Sequence, residues 1–96
     1  MSVLGLFDKH DPRDKLDYTI RWVDWLNGDQ ITGSTWAAAS DNPAGMIMDS
    51  DSFTTGTTTL WLASGTIGSS YRFDNQIATL AGREKNESII VSVKDR

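Results

Sequence analysis

Asp8, Asp11, Asp14 and Asp17 recur at intervals of three, and four carboxylates so spaced could converge on a hard cation. Lys9, Arg13 and Lys15 are interleaved with them, Pro12 breaks regular structure, and aspartate makes Asx turns, so the stretch reads as a turn segment. His10 is the only histidine and has no serine, cysteine or second histidine at a telling spacing; a solvated loop residue is the expectation. Asp49-Ser50-Asp51 invites comparison with a calcium loop. It fails there, because Phe53 takes the third ligand position, Thr54 the glycine position and Leu60 the bidentate glutamate. Gly65 and Gly68 form no phosphate loop, since no Lys-Ser/Thr follows and a strand comes next. With one histidine, no cysteine and no paired acid and base, the chain is expected to have no catalytic residue, no metal and no cofactor, and to be no enzyme. One cluster remains. Trp25 with Asp24, Asn27 and Asp29 is the arrangement that could stack on a sugar and hydrogen-bond its hydroxyls, as in a carbohydrate- or receptor-binding module.

The totals narrow the classes further. Ninety-six residues make one domain, which buries roughly 60–65% of its unfolded surface. Four tryptophans, three phenylalanines and two tyrosines supply large apolar bodies for that core. A chain without cysteine has no disulfide framework and no thiol chemistry. A formal charge of −4 argues against a phosphate-backbone binder, so no nucleic acid is expected as partner. No apolar run has the length of a membrane span, and Met1 to Phe7 lacks the basic start and apolar length of a signal peptide. Without such a signal, Asn86-Glu87-Ser88 is read as a chance match to the glycosylation pattern.

The elements that must position these residues are strands. In Tyr71 to Thr79, Tyr71, Phe73, Asn75, Ile77 and Thr79 share one parity while Arg72, Asp74, Gln76 and Ala78 share the other, so one face meets the core. Ile89, Val91 and Val93 point in on the next run, with Ser88, Ser92 and Lys94 out, and Gly82 to Lys85 turns the two into a hairpin. Asn75 on the apolar parity needs its hydrogen bonds made and is expected to tie neighbouring backbone groups. Tyr71 stands where a phenol bonds back to the preceding loop, as in a tyrosine corner. Earlier, Tyr18, Ile20 and Trp22 alternate with Thr19 and Arg21 in a first strand, and Asn27-Gly28 is turn chemistry. Trp25 is expected at the edge of the core. Gln30 to Ala39 is the second strand; Ile31 and Trp36 have opposite parity, which a bulge near Gly33 would reconcile. Asp41 to Gly45 is a turn, Met46 to Met48 a short third strand, and Thr57 to Ala63 a strong one with Leu60 and Leu62 in and Trp61 out. No window carries the period of an amphipathic helix. Short strands separated by Gly/Asn/Pro turns predict an all-β immunoglobulin/fibronectin III-like β-sandwich of six to seven antiparallel strands. Residues 1–16 read as an N-terminal arm and turn segment and residues 17–96 as the single domain.

Seven apolar side chains are candidate partner contacts: Val3, Leu4, Leu6 and Phe7 of the arm, Trp25, Trp61 and Ile90. The arm either folds back over an open end of the core or adds to a neighbouring subunit's sheet. Trp61 is either a docking anchor or covered by the arm or a loop.

Two sets of blocks carry a family resemblance. One is Leu16-Asp17-Tyr18, Trp22-Val23-Asp24-Trp25-Leu26, Gly28-Asp29-Gln30-Ile31 and Ser34-Thr35-Trp36. The other is Leu60 to Gly68, Tyr71, Asn75-Gln76-Ile77, Gly82-Arg83 and Ser88 to Val93. Together they resemble small tailed-phage virion proteins of the phage fibre-tail adaptor family, over residues 11–94 in discontinuous pieces. Ala37 to Phe53 is the less recognisable part. The resemblance implies an immunoglobulin-like virion structural protein that joins tail or head components to fibres. A capsid decoration protein that reinforces the head is the alternative. Its partners would then be other virion proteins (tail, fibre, portal or capsid), met as a homo-oligomer in a symmetric assembly, with assembly in the host cytoplasm.

Overall fold

The computed structural model describes residues 2–10 along the backbone and residues 14–94 with their side chains. Asp11, Pro12 and Arg13, and so part of the spaced aspartate series, lie outside the described residues. Seven strands and one helical turn follow in order: β1 (Ser2–His10), β2 (Lys15–Arg21), α1 (Val23–Leu26), β3 (Ile31–Ala38), β4 (Met46–Phe53), β5 (Thr57–Ser64), β6 (Ser70–Thr79) and β7 (Glu84–Val93). They form a sandwich of two sheets, one ordered β1-β7-β6-β3 and the other β2-β5-β4. All pairings are antiparallel except that of β1 with β7.

Alternation decides which side chains meet between the sheets. On β6, Tyr71, Phe73, Asn75, Ile77 and Thr79 are buried and the intervening residues are not, as their parity requires. Ile89, Val91 and Val93 of β7 and Leu60 and Leu62 of β5 complete the middle of the core, with Tyr18, Ile20 and Trp22 facing them from β2 and its end. The bulge expected near Gly33 is present: the β3–β6 register shifts between Ile31 and Gly33, which lets both Ile31 and Trp36 turn toward the core.

Four expectations need correction. Ser88 sits on the outward parity yet is buried, because β7 is flanked by β1 and β6 and the Ser88 hydroxyl donates to Asp74 across the sheet, beneath the Arg72–Asp74 ion pair. The third strand does not stop at Met48 but runs to Phe53, with its register to β5 shifted between Met48 and Ser50. Its second half is exposed on both faces, so no hydrophobic alternation marked it; pairing with β5 alone holds it extended. Val23 to Leu26 forms a single helical turn closed by Asn27 in the left-handed conformation, where the sequence showed only a turn. Finally, the arm is a strand of this chain's own sheet, with Val3 opposite Ser88, Leu6 opposite Ile90 and Phe7 opposite Val91.

A buried polar chain crosses the sandwich. Trp22 Nε1–H donates to Thr58 Oγ1 at 3.0 Å, and the Thr58 hydroxyl donates to Asn75 Oδ1 at 2.6 Å. Asn75 Nδ2 then donates to Ser34 Oγ and to the Thr35 carbonyl, both at 2.9 Å. Thr58 belongs to the three-stranded sheet, and Asn75, Ser34 and Thr35 to the four-stranded one. Every link is used, so a nearly isosteric loss is informative. Thr58→Val keeps the volume but leaves the indole donor and the amide oxygen unpaired, and is expected to cost roughly 2–4 kcal/mol. Trp36 Nε1 is buried without a partner among the described residues. Trp36→Phe therefore gives up no hydrogen bond and is expected to be the milder change. Urea unfolding of the two variants checks the order.

Candidate docking surfaces

The outward face of the three-stranded sheet is built around β5. Trp61, half-buried, lies opposite Asp17 of β2 on one side and Ser50 of β4 on the other. One step along, Ala63 lies between Lys15 and Ile47, and Ile47 is 54% exposed. In the other direction Thr59 lies between Thr19 and Ser52, with the Thr19 and Thr59 hydroxyls 2.9 Å apart. Lys15 Nζ reaches Asp49 Oδ2 at 3.5 Å. The result is an apolar centre of Trp61, Ala63 and Ile47 with a rim of threonine, serine and paired charges, the composition of a protein interface. Ile47 had no assigned role in the sequence. Its signal was parity, opposite to the inward Met46 and Met48 on the same strand.

Trp25 lies elsewhere, at the end of the sandwich. Its ring meets the Trp22 ring edge-on at a centroid distance of 5.8 Å, and the Arg83 guanidinium lies over it at 4.3 Å. Lys85 Nζ stands 6.0 Å from the same ring. Arg83 also donates to Asp29 Oδ2 at 3.1 Å and to the Leu26 carbonyl at 2.8 Å, so one side chain holds the helical turn to the β6–β7 turn. Asp29 Oδ1 accepts the backbone N–H groups of Gln30 and Ala81. A hydrogen bond from the Thr79 hydroxyl, with these backbone and guanidinium donors, outweighs desolvation and holds the Asp29 carboxyl down at about 2. The ring and the carboxylate that a sugar would need are thus engaged within the chain, while Asp24 and Asn27 stay exposed.

Ile90 is on a third surface, the outward face of the four-stranded sheet. It is half-buried between its register partners Leu6 and Arg72 and lines a shallow hollow with Asp41, Asn42, Pro43 and Ser70. The Asn42 amide clasps the backbone of Arg72 there, accepting its N–H and donating to its carbonyl, both at 2.8 Å. Val3, Leu4, Leu6 and Phe7 lie along β1. The predicted contact residues therefore fall on separate surfaces and make no single patch. No described group of histidine, aspartate or glutamate is gathered as a metal site, and Asp49 to Asp51 are part of an extended strand. No helix among the described residues is long and apolar enough to cross a membrane.

The Asp29 geometry has a sign in pH. A carboxyl depressed in the folded state from 3.8 to about 2 contributes stability that is complete above the unfolded value and disappears as pH falls through the folded one. The stability gap between wild type and Asp29→Asn is expected to be constant at neutral pH and to close as the pH falls from about 4 toward 2. Thermal melts across that range measure it.

Comparison with known proteins bears on both fold and role. No curated protein sequence matches the chain. Among solved structures, the solution structure of the PKD domain from KIAA 1837 protein superposes with a TM-score of 0.60 at 17% identity, over 96% of this chain and 83% of that one. At that identity the likeness is one of fold, and it establishes the immunoglobulin-like sandwich. The family described as podophage GP4 fiber-tail adaptor protein gp77 matches residues 10–92, which takes in β2 through β7 short of its last residue and leaves out all of β1 but His10. This chain belongs to that family of phage structural adaptors.

Proposed function

We propose that the chain is a non-enzymatic bacteriophage virion protein that joins tail or head components to fibres by protein–protein contact. The observation that carries this is the family match over residues 10–92. The surface chemistry supports it, for the outward sheet face offers a large aromatic anchor, Trp61, on the central strand β5 and an exposed aliphatic one, Ile47, on its neighbour β4. Binding energy at such faces concentrates in a few buried aromatic and aliphatic side chains surrounded by a polar rim. In this reading Trp61 and Ile47 enter the partner, and Ile90 and the outer edge of β1 are further contacts.

The sugar-binding reading is weaker because Trp25 is stacked under Arg83 and both Asp29 oxygens have donors. Trp25 takes the part of a structural latch at the sandwich end, and its solvent-facing side remains only a minor contact.

Trp61→Ala removes the anchor from an outward face and should leave the fold intact by circular dichroism. Its incorporation into phage particles is expected to fall at least about thirtyfold, the equivalent of 2 kcal/mol. Incorporation equal to wild type would remove this face from the account. Immuno-gold labelling of particles would then show whether the protein sits at the tail or, as a decoration protein would, over the head.

A further inference from the structure

We propose that strand β3 is the edge on which a second copy of this chain docks, antiparallel to the first copy's β3, so that two four-stranded sheets join into one. The inference deepens the docking reading above by naming one partner, and it is read on the purified protein without reference to particles.

The sandwich has four edge strands, β1 and β3 on one sheet and β2 and β4 on the other. An unpaired edge is a template for another strand, and proteins that must stay apart guard it with charges, bulges and prolines. On β4 the register is broken between Met48 and Ser50, and Asp49 and Asp51 flank the centre. Two copies meeting antiparallel about Ser50 would set Asp49 against Asp51. β2 carries Lys15, Asp17 and Arg21, and a two-fold at Tyr18 would set Lys15 against Arg21. β1 carries Asp8 and Lys9, and its register to β7 breaks twice.

β3 has only one of these guards, the bulge between Ile31 and Gly33 at its start, and none past it. Its sequence, Ile-Thr-Gly-Ser-Thr-Trp-Ala-Ala, contains no charged residue and no proline, and the first charge beyond it is Asp41. Past the bulge, residues 34–38 keep an unbroken register with β6. The Ala39 N–H bonds to the Arg72 carbonyl, and pairing alternates along an antiparallel ladder. The backbone groups of Thr35 and Ala37 therefore point at β6, and those of Ser34, Trp36 and Ala38 point outward from the sheet.

A two-fold axis at Trp36 lines those outward groups up with themselves. Trp36 pairs with Trp36 of the second copy, and Ser34 with Ala38. Thr35 then stands across from Ala37 on the outer face, where both are exposed and small. Antiparallel pairing of identical strands is self-complementary, as a closed dimer requires. Here it opposes no like charges, and it satisfies donors and acceptors that one copy leaves to water.

Sedimentation of the purified chain at submillimolar concentration tests this, beside Thr35→Lys/Ala37→Lys, which puts lysine opposite lysine across the junction. Wild type is expected at twice the 10.6 kDa chain mass. The double variant should keep the wild-type circular dichroism, and the wild-type melt at dilutions where both are single chains, but associate at least about tenfold more weakly. Because the chain has no cysteine, Thr35→Cys/Ala37→Cys adds an independent readout, a disulfide-linked dimer on mild oxidation that Thr19→Cys on β2 does not give. A wild type that stays at one chain mass, or a lysine variant that dimerises undiminished, overturns the proposal. A single-chain wild type that still enters particles overturns this proposal while leaving the adaptor reading standing.

Discussion

A sandwich core of aliphatic and aromatic side chains is greasy but not directional, and many relative positions of its two sheets would bury similar area. The chain from Trp22 through Thr58 to Asn75, Ser34 and Thr35 removes that freedom. Each buried donor and acceptor in it is satisfied only when the sheets stand in one register and at one separation, and a slip leaves several unpaired in an apolar surround. The burial of Leu60, Leu62, Phe73 and Ile77 around it makes each of those hydrogen bonds count for more than it would in water. Hydrophobic area brings the layers together, and the polar chain chooses how they meet.

Both ends of the sandwich are closed by devices of the same kind. At one end the Tyr71 hydroxyl accepts the Thr66 N–H at 2.9 Å and donates to the Ala44 carbonyl at 2.8 Å, joining the β5–β6 and β3–β4 loops, both of which cross between the sheets. Gly45 is part of that corner, with φ at +115° and room for a Cβ denied by Thr66 Oγ1 at 2.7 Å. At the other end Arg83 ties Asp29, the Leu26 carbonyl and the Trp25 ring to the β6–β7 turn. A domain whose middle and ends are pinned leaves its sheet faces and edges as the parts free to meet partners.

The strands with one buried face were legible because parity alone predicts them; the tyrosine corner followed from a tyrosine placed at the start of a strand just past a corner, and the Gly33 bulge from the opposite parities of Ile31 and Trp36. Asn75 was recognisable as a residue needing partners. That its oxygen would be met by a threonine of the opposite sheet was not, since sequence separation carries no information about which sheet a strand joins. The second half of β4 was missed for a physical reason: an edge strand with both faces wet has no hydrophobic period to read. Val23 to Leu26 is too short to show a helical one. The candidate site was legible only as residue types. Parity already set Trp61 outward and Trp25 was expected at the edge of the core, but only the fold shows that Trp25 is stacked beneath a guanidinium.

That contrast bears on how an adaptor can be built from a sandwich of this size. Binding through a loop would require ordering it on contact, a cost set against every interaction made there. Trp61 is instead carried on β5, paired on both sides and backed by the inward Leu60 and Leu62, so its position is settled before any partner arrives. The likeness to a PKD domain reaches the layers and their connections, which are what rigidity needs. In the docking reading proposed above, what makes one such sandwich an adaptor is written on the outward parity and at the edges, where substitutions leave the core untouched.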